Sequence, residues 1–110
     1  MSDDESLFNE PKVQQICNEE IAKVLDGTVY KRHLSDKLTE QIVNNIIQRI
    51  TPLFSPRYKY ITHAIYMDSA VQGFDCYNQN EWETDKDSYI ITEYDNGSVK
   101  FNLAIWGLFC

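Results

Sequence analysis

At Arg57 the spacing of apolar residues changes from steps of three and four to steps of two, and no other feature restricts the fold of this chain more. Before the switch the pattern is helical. Val13, Ile16, Cys17, Ile21, Val24 and Leu25 form one stripe, opened by a cap at Asn9 or Glu10 with Pro11 in the first turn. Asp26-Gly27 ends that helix, with Gly27 in the left-handed conformation past the last turn. Ser35 or Asp36 caps a second helix lined by Leu38, Ile42, Val43, Ile46, Ile47, Ile50, Leu53 and Phe54, and Pro52 and Pro56 stop it. That stripe is wide enough to fill a core and also to wall a groove.

After the switch the chain reads as strands. Tyr58 to Met67 alternates Ile61, His63, Ile65 and Met67 with Tyr60, Thr62, Ala64 and Tyr66. Gly73 to Glu83 is a second extended stretch, Ser88 to Tyr94 a third and Val99 to Phe109 a fourth. Asp95-Asn96-Gly97-Ser98 joins the last two, and Asn-Gly predicts a type I′ turn. The chain of 110 residues is one domain. The expected fold is α+β, with two N-terminal helices packed on a four-stranded antiparallel sheet. Residues 1–8 are expected to form a flexible acidic N-terminus and 9–110 the domain itself.

Gly73-Phe74-Asp75-Cys76-Tyr77-Asn78-Gln79-Asn80-Glu81-Trp82-Glu83 does not suit the middle of a sheet. One face carries Phe74, Cys76, Asn78, Asn80 and Trp82; the other carries Asp75, Tyr77, Gln79, Glu81 and Glu83. Neither is apolar throughout. A long half-polar strand belongs at an edge, where unpaired N–H and C=O groups call for solvent, a second subunit or an added peptide strand. If the helices cover one face of the sheet, aromatics remain on the other, either Tyr60, Tyr66, Trp106 and Leu108 or their alternates. A small domain with such a face is expected to be a homodimer.

Several functions are excluded by composition. A net charge of −7 leaves no basic patch for nucleic acid. Lys31-Arg32-His33 is the sole basic cluster, and it reads as a solvated loop. Cys17, Cys76 and Cys110 are odd in number and widely spaced, as reduced thiols of an intracellular protein are. The acidic start is unlike a secretion signal, and no apolar run is long enough to span a bilayer, so a cytoplasmic chain is expected. His33 and His63 have no serine or cysteine nucleophile signature nearby, and the acidic run Glu81, Glu83, Asp85, Asp87 lacks the glycine and glutamate of a calcium loop. No catalytic, cofactor or metal site is expected. A small enzyme or ligand carrier is the remaining rival, and it would need a deep pocket holding His63 or Cys76.

The order helix, helix, four strands is joined by specific residues. Phe54-Ser55-Pro56-Arg57-Tyr58-Lys59-Tyr60-Ile61 resembles the proline-aromatic-lysine-tyrosine entry to the first strand of Tctex-type dynein light chains. Gly73-Phe74 and Trp82 are similar to the ends of that family's second strand, and Ala104-Ile105-Trp106-Gly107-Leu108 resembles its small-aromatic-glycine-leucine ending. The resemblance covers about residues 10 to 110. It implies a non-catalytic light chain of the dynein motor complex, in the cytoplasm or a cilium and associated with microtubules. It implies a strand-exchanged homodimer that binds dynein intermediate chain, and also cargo proteins, by strand addition. The exchanged strand and groove would comprise Gly73, Phe74, Asp75, Cys76, Tyr77, Asn78, Gln79, Asn80, Glu81 and Trp82, though which parity meets the peptide is open. The helix wall, within Thr39 to Arg49, would comprise Ile42, Asn45, Ile46 and Arg49. Where the family carries a serine- and cysteine-rich run, this chain has Tyr77-Asn78-Gln79-Asn80-Glu81, so peptide preference does not carry over. The alternative within the same architecture is an adaptor acting outside the motor.

Overall fold

A computed structural model describes residues 6–70 and 88–110. Two helices, α1 (Glu10–Leu25) and α2 (Ser35–Ile50), precede three strands, β1 (Tyr58–Asp68), β2 (Ser88–Asp95) and β3 (Val99–Phe109). The expected second strand, Gly73 to Glu83, lies outside the described residues. All pairing is antiparallel, and the strand order is β1-β3-β2.

Asn9 caps α1 by accepting the Lys12 N–H at 3.1 Å, and Pro11 occupies its first turn. Gly27 follows at φ +79°, a conformation that costs a residue without a Cβ little. The start of α2 differs from expectation. Neither Ser35 nor Asp36 caps it; a 3₁₀ turn, Arg32–Leu34, runs directly into the helix, and the Ser35 N–H bonds Arg32 O. Leu34 stands at the cap position with no side-chain acceptor to offer, so the first N–H groups of α2 lack a side-chain cap.

Both helices cover the same face of the sheet. Val13, Ile16, Cys17, Ile21 and Leu25 of α1 and Ile42, Ile46 and Ile50 of α2 meet Val99, Phe101, Leu103 and Ile105 of β3, and all are essentially fully buried. Each such side chain contributes roughly 1.5–3 kcal/mol by leaving water. The register fixes what shares that face. Tyr60 pairs with Gly107 and Tyr66 with Phe101, while Ile61 pairs with Trp106. Tyr58, Tyr60 and Tyr66 therefore lie on the helix side, and Trp106 and Leu108 lie opposite with Ile61, Ile65 and Met67. This corrects the expectation that Tyr60 and Tyr66 share a face with Trp106. The tyrosines bury rings while two hydroxyls reach backbone donors at the rim: Tyr58 accepts the Phe8 N–H at 2.9 Å, and Tyr66 accepts the Lys31 N–H at 3.3 Å. The Tyr60 hydroxyl is buried and has no hydrogen-bond partner among the described residues, and burial followed by the neighbouring Tyr58 pushes its pKa up to about 12.

Phe8, within the segment expected to be flexible, is 7% exposed and sits among Phe54, Tyr58 and Tyr60 with ring centroids 5.7, 6.2 and 6.4 Å away. Beside it the Ser55 N–H bonds Ser6 O at 2.7 Å. An aromatic ring that fills a core position outweighs the polarity of its sequence neighbours.

The β2–β3 turn also differs from the Asn-Gly expectation. Only Gly97 has positive φ, at +92°, whereas a type I′ turn needs two such residues. Asn96 is used otherwise. Its Nδ2 donates to Leu25 O at 2.7 Å and Thr28 O at 2.9 Å, and its Oδ1 accepts from the Ser98 and Val99 N–H groups at 2.8 Å each. One amide thereby ties the end of α1 to the hairpin.

Two outcomes check this account. Asn96→Ala leaves the Leu25 and Thr28 carbonyls without that partner and should cost about 2–4 kcal/mol in denaturant unfolding, well beyond an ordinary surface change. A Cβ at Gly107 would lie 2.7 Å from Phe8 Cδ2. Gly107→Ala should therefore destabilise by about 1–3 kcal/mol, and Phe8→Leu in the same chain should recover part of that loss.

Candidate functional site

β1 is hydrogen-bonded to β3 on one side, and among the described residues no strand pairs with its other side. In front of that edge stands α2. Ser35, Thr39 and Val43 recur at steps of four and form a ridge, with Asp36, Glu40 and Asn44 beside it. Across the gap, Thr62, Ala64 and Tyr66 alternate along β1 toward the same side. Together these residues line an open groove of about 380 Å³. Its floor is apolar, built from Val43, Ala64 and the Tyr66 ring, which stacks on Tyr30 at 5.4 Å between centroids. Its helix rim carries the exposed carboxylates Asp36 and Glu40. The arrangement combines a strand side that no described strand pairs with, a shallow apolar floor and charge at the rim, features that suit an extended peptide.

The wall residues expected from the sequence are placed differently from this lining. Ile42 and Ile46 are fully buried in the core. Asn45 and Arg49 line a separate depression between the helices, with Glu20, Lys23 and Gln48. The Arg49 guanidinium donates to Glu19 Oε1 and Glu20 Oε2, both at 2.9 Å. Within the expected Thr39 to Arg49 stretch, it is Thr39, Glu40, Val43 and Asn44 that line the groove. A shift of one position turns a helix side chain by about 100°, so one stripe cannot serve both the core and the strand edge. Gly73, Phe74, Asp75, Cys76, Tyr77, Asn78, Gln79, Asn80, Glu81 and Trp82 lie outside the described residues.

The sheet face away from the helices is a second surface. Ile61, Trp106 and Tyr89 form one row across the three strands, and His63, Ala104 and Ile91 the next. No described helix packs on it, and Ile61 is 49% exposed. Near its hairpin end Asn102 is 6% exposed, and its Oδ1 is buried with no hydrogen-bond partner among the described residues. Of the described cysteines, Cys17 is buried, which pushes its thiol up to about 12 and leaves it protonated and unreactive at neutral pH; Cys110 is exposed. Among the described residues no three His, Cys, Asp or Glu side chains converge on a metal position. No described helix is long and apolar enough to cross a membrane.

Comparison with known proteins adds to this geometry. The model of the Tctex-1 family matches residues 7–108. The chain is similar to a "Dynein light chain Tctex-type" of Drosophila melanogaster, 26% identical over 107 residues that cover 97% of this chain and 96% of that protein. It is also similar to a "Dynein light chain Tctex-type" of Dictyostelium discoideum, 22% identical over 96 residues, 87% of this chain and 86% of that protein.

The Arg49 bridge makes a pH-dependent contribution. Hydrogen bonding to Arg49, and next to Gln15, holds the Glu19 carboxyl below the ordinary carboxylate range. With the folded pKa below the unfolded one, the associated stability is present above the unfolded pKa and is lost as pH falls through the folded one. Melting midpoints of the wild type and Arg49→Met should therefore differ most at neutral pH and converge as pH drops through the carboxylate range.

Proposed function

The chain belongs to the Tctex-1 family, and from that membership we propose that it is a non-catalytic light chain of the dynein motor complex, a homodimer that grips extended segments of intermediate chain. The observation that carries this reading is that β1 lies at the edge of the described sheet and faces α2 across an open groove. In this proposal Gly73 to Glu83 crosses from each subunit and lies along the β1 edge of the other. A peptide then adds beside the exchanged strand, against the Thr39–Val43 ridge of α2. The half-polar character of residues 73–83 supports this, because a strand paired with two other chains needs neither face fully apolar. The row of Ile61, Trp106 and Tyr89 supplies apolar area for the subunit contact.

Backbone bonds along an added strand contribute about 0.5–1.5 kcal/mol each, which makes one site weak. Two equivalent sites on a dimer raise the effective concentration for the second event and convert weak contacts into a lasting assembly. Cargo segments of the same extended form would use the same groove. A chain with this role works in the cytoplasm or a cilium, wherever its motor sits on microtubules.

Light scattering should give the mass of two chains. In a titration with a labelled intermediate-chain peptide, Val43→Glu should weaken binding by about tenfold or more by placing charge on the apolar floor. Asn78→Pro should weaken it as well, by removing a ladder donor from the exchanged strand. A single-chain mass, or binding unchanged in both variants, would overturn the proposal.

A further inference from the structure

The basic cluster Lys31-Arg32-His33 has no part in the groove, yet it ends two residues before a serine that does. Lys31, Arg32 and His33 are all exposed. Ser35 is half-buried in the groove lining, and its hydroxyl makes no hydrogen bond among the described residues. Arginine three positions and lysine four positions ahead of a serine form the charge pattern read by the acidic subsites of basophilic protein kinases. The start of the segment is tied to β1 by the Lys31 N–H to Tyr66 hydroxyl bond at 3.3 Å. The turn itself is made by the Leu34 N–H to Lys31 O bond at 2.9 Å and the Ser35 N–H to Arg32 O bond, and so short a 3₁₀ turn opens at low cost.

We propose that Ser35 is a phosphorylation site, written by a basophilic serine kinase, whose phosphate caps α2 and adds negative charge to the groove. In the transfer, Ser35 Oγ attacks the γ-phosphorus of a magnesium-bound nucleoside triphosphate. A P–O bond forms to Oγ as the bridging bond to the β-phosphate breaks; the nucleoside diphosphate leaves with that electron pair, and the hydroxyl proton passes to the kinase's base. The product has two local consequences. The N-terminus of α2 has no side-chain cap, and a phosphate at its first residue offers oxygens to the orphan N–H groups at the positive end of the helix. The groove lining already holds Asp36 and Glu40, and a phosphate adds a charge of about −1.5 to −2 beside them. The first consequence depends on this chain alone; the second rests on the groove being the peptide site.

The test takes the full chain with magnesium ATP and a kinase of the calmodulin-dependent class. Intact-mass and fragment spectra should show one phosphate on the wild type, at Ser35. None should appear on Ser35→Ala, and the rate on Arg32→Ala should fall about tenfold, as loss of a charge-assisted bond predicts. The phosphorylated chain should melt about 2–5 °C higher than the unmodified one, a gain that Ser35→Ala treated with the kinase does not show. Incorporation that persists in Ser35→Ala, no incorporation at all, or a lower melting midpoint overturns the proposal. A further arm titrates lysine-bearing and glutamate-bearing forms of one intermediate-chain peptide, and phosphorylation should shift the ratio of their affinities toward the lysine form. If neither form binds either state of the protein, the groove reading fails while the mass and melting arms still decide the modification.

Discussion

β3 is hydrogen-bonded on both sides, and the other described elements depend on its placement. Its inward residues Val99, Phe101, Leu103 and Ile105 are fully buried, so its register cannot slip by one without turning that row toward solvent. The pairing then decides the rest of the sheet. With Tyr66 opposite Phe101 and Ile61 opposite Trp106, β1 must present its tyrosines to the helices and its isoleucines to the far face. Because β3 occupies the middle, β1 lies at an edge of the described sheet, and that side is the one that meets the groove.

The helices are held over β3 by packing along their length and by polar ties at their ends. Asn96 joins the hairpin to the carbonyls that close α1, and the Ser98 hydroxyl accepts the Tyr30 N–H at 2.9 Å in the loop that follows. Arg49 bridges α2 to Glu19 and Glu20 on α1. Glu20 is 5% exposed, so that bridge, together with Lys23 Nζ at 4.0 Å, offsets the cost of burying its carboxylate. With one side of α2 committed to α1 and the next to the core, the Ser35–Thr39–Val43 ridge is the side that faces β1. Position in the groove follows from what the other sides of the helix already do.

Much of this was legible in the order of residues. The stripes of both helices, the glycine after α1 and the boundaries of β3 follow from spacing and turn chemistry, which act within a few residues. Other features were hidden. Phe8 looked like part of an acidic tail, because the ring stack that holds it comes from Phe54, Tyr58 and Tyr60, far along the chain. Asn96 looked like a turn residue, because its helix-end acceptors lie some seventy positions away. The spacing also did not reveal that Ile42 and Ile46 are buried in the core while Thr39 and Val43 line the gap to β1, since an apolar stripe shows that a helix is amphipathic and not which neighbour takes each edge of it.

The sequence by itself determined the helix-then-strand order, the α+β class and a resemblance strong enough to name a family, because period, caps and short motifs are properties of consecutive residues. Only the tertiary structure decided which sheet face the tyrosines join, which ridge of α2 meets β1, and that a basic turn leads straight into a groove-lining serine. Those outcomes depend on strand register and on the rotation of a helix about its axis. Both are fixed by contacts between residues distant in the chain, where local spacing carries no information.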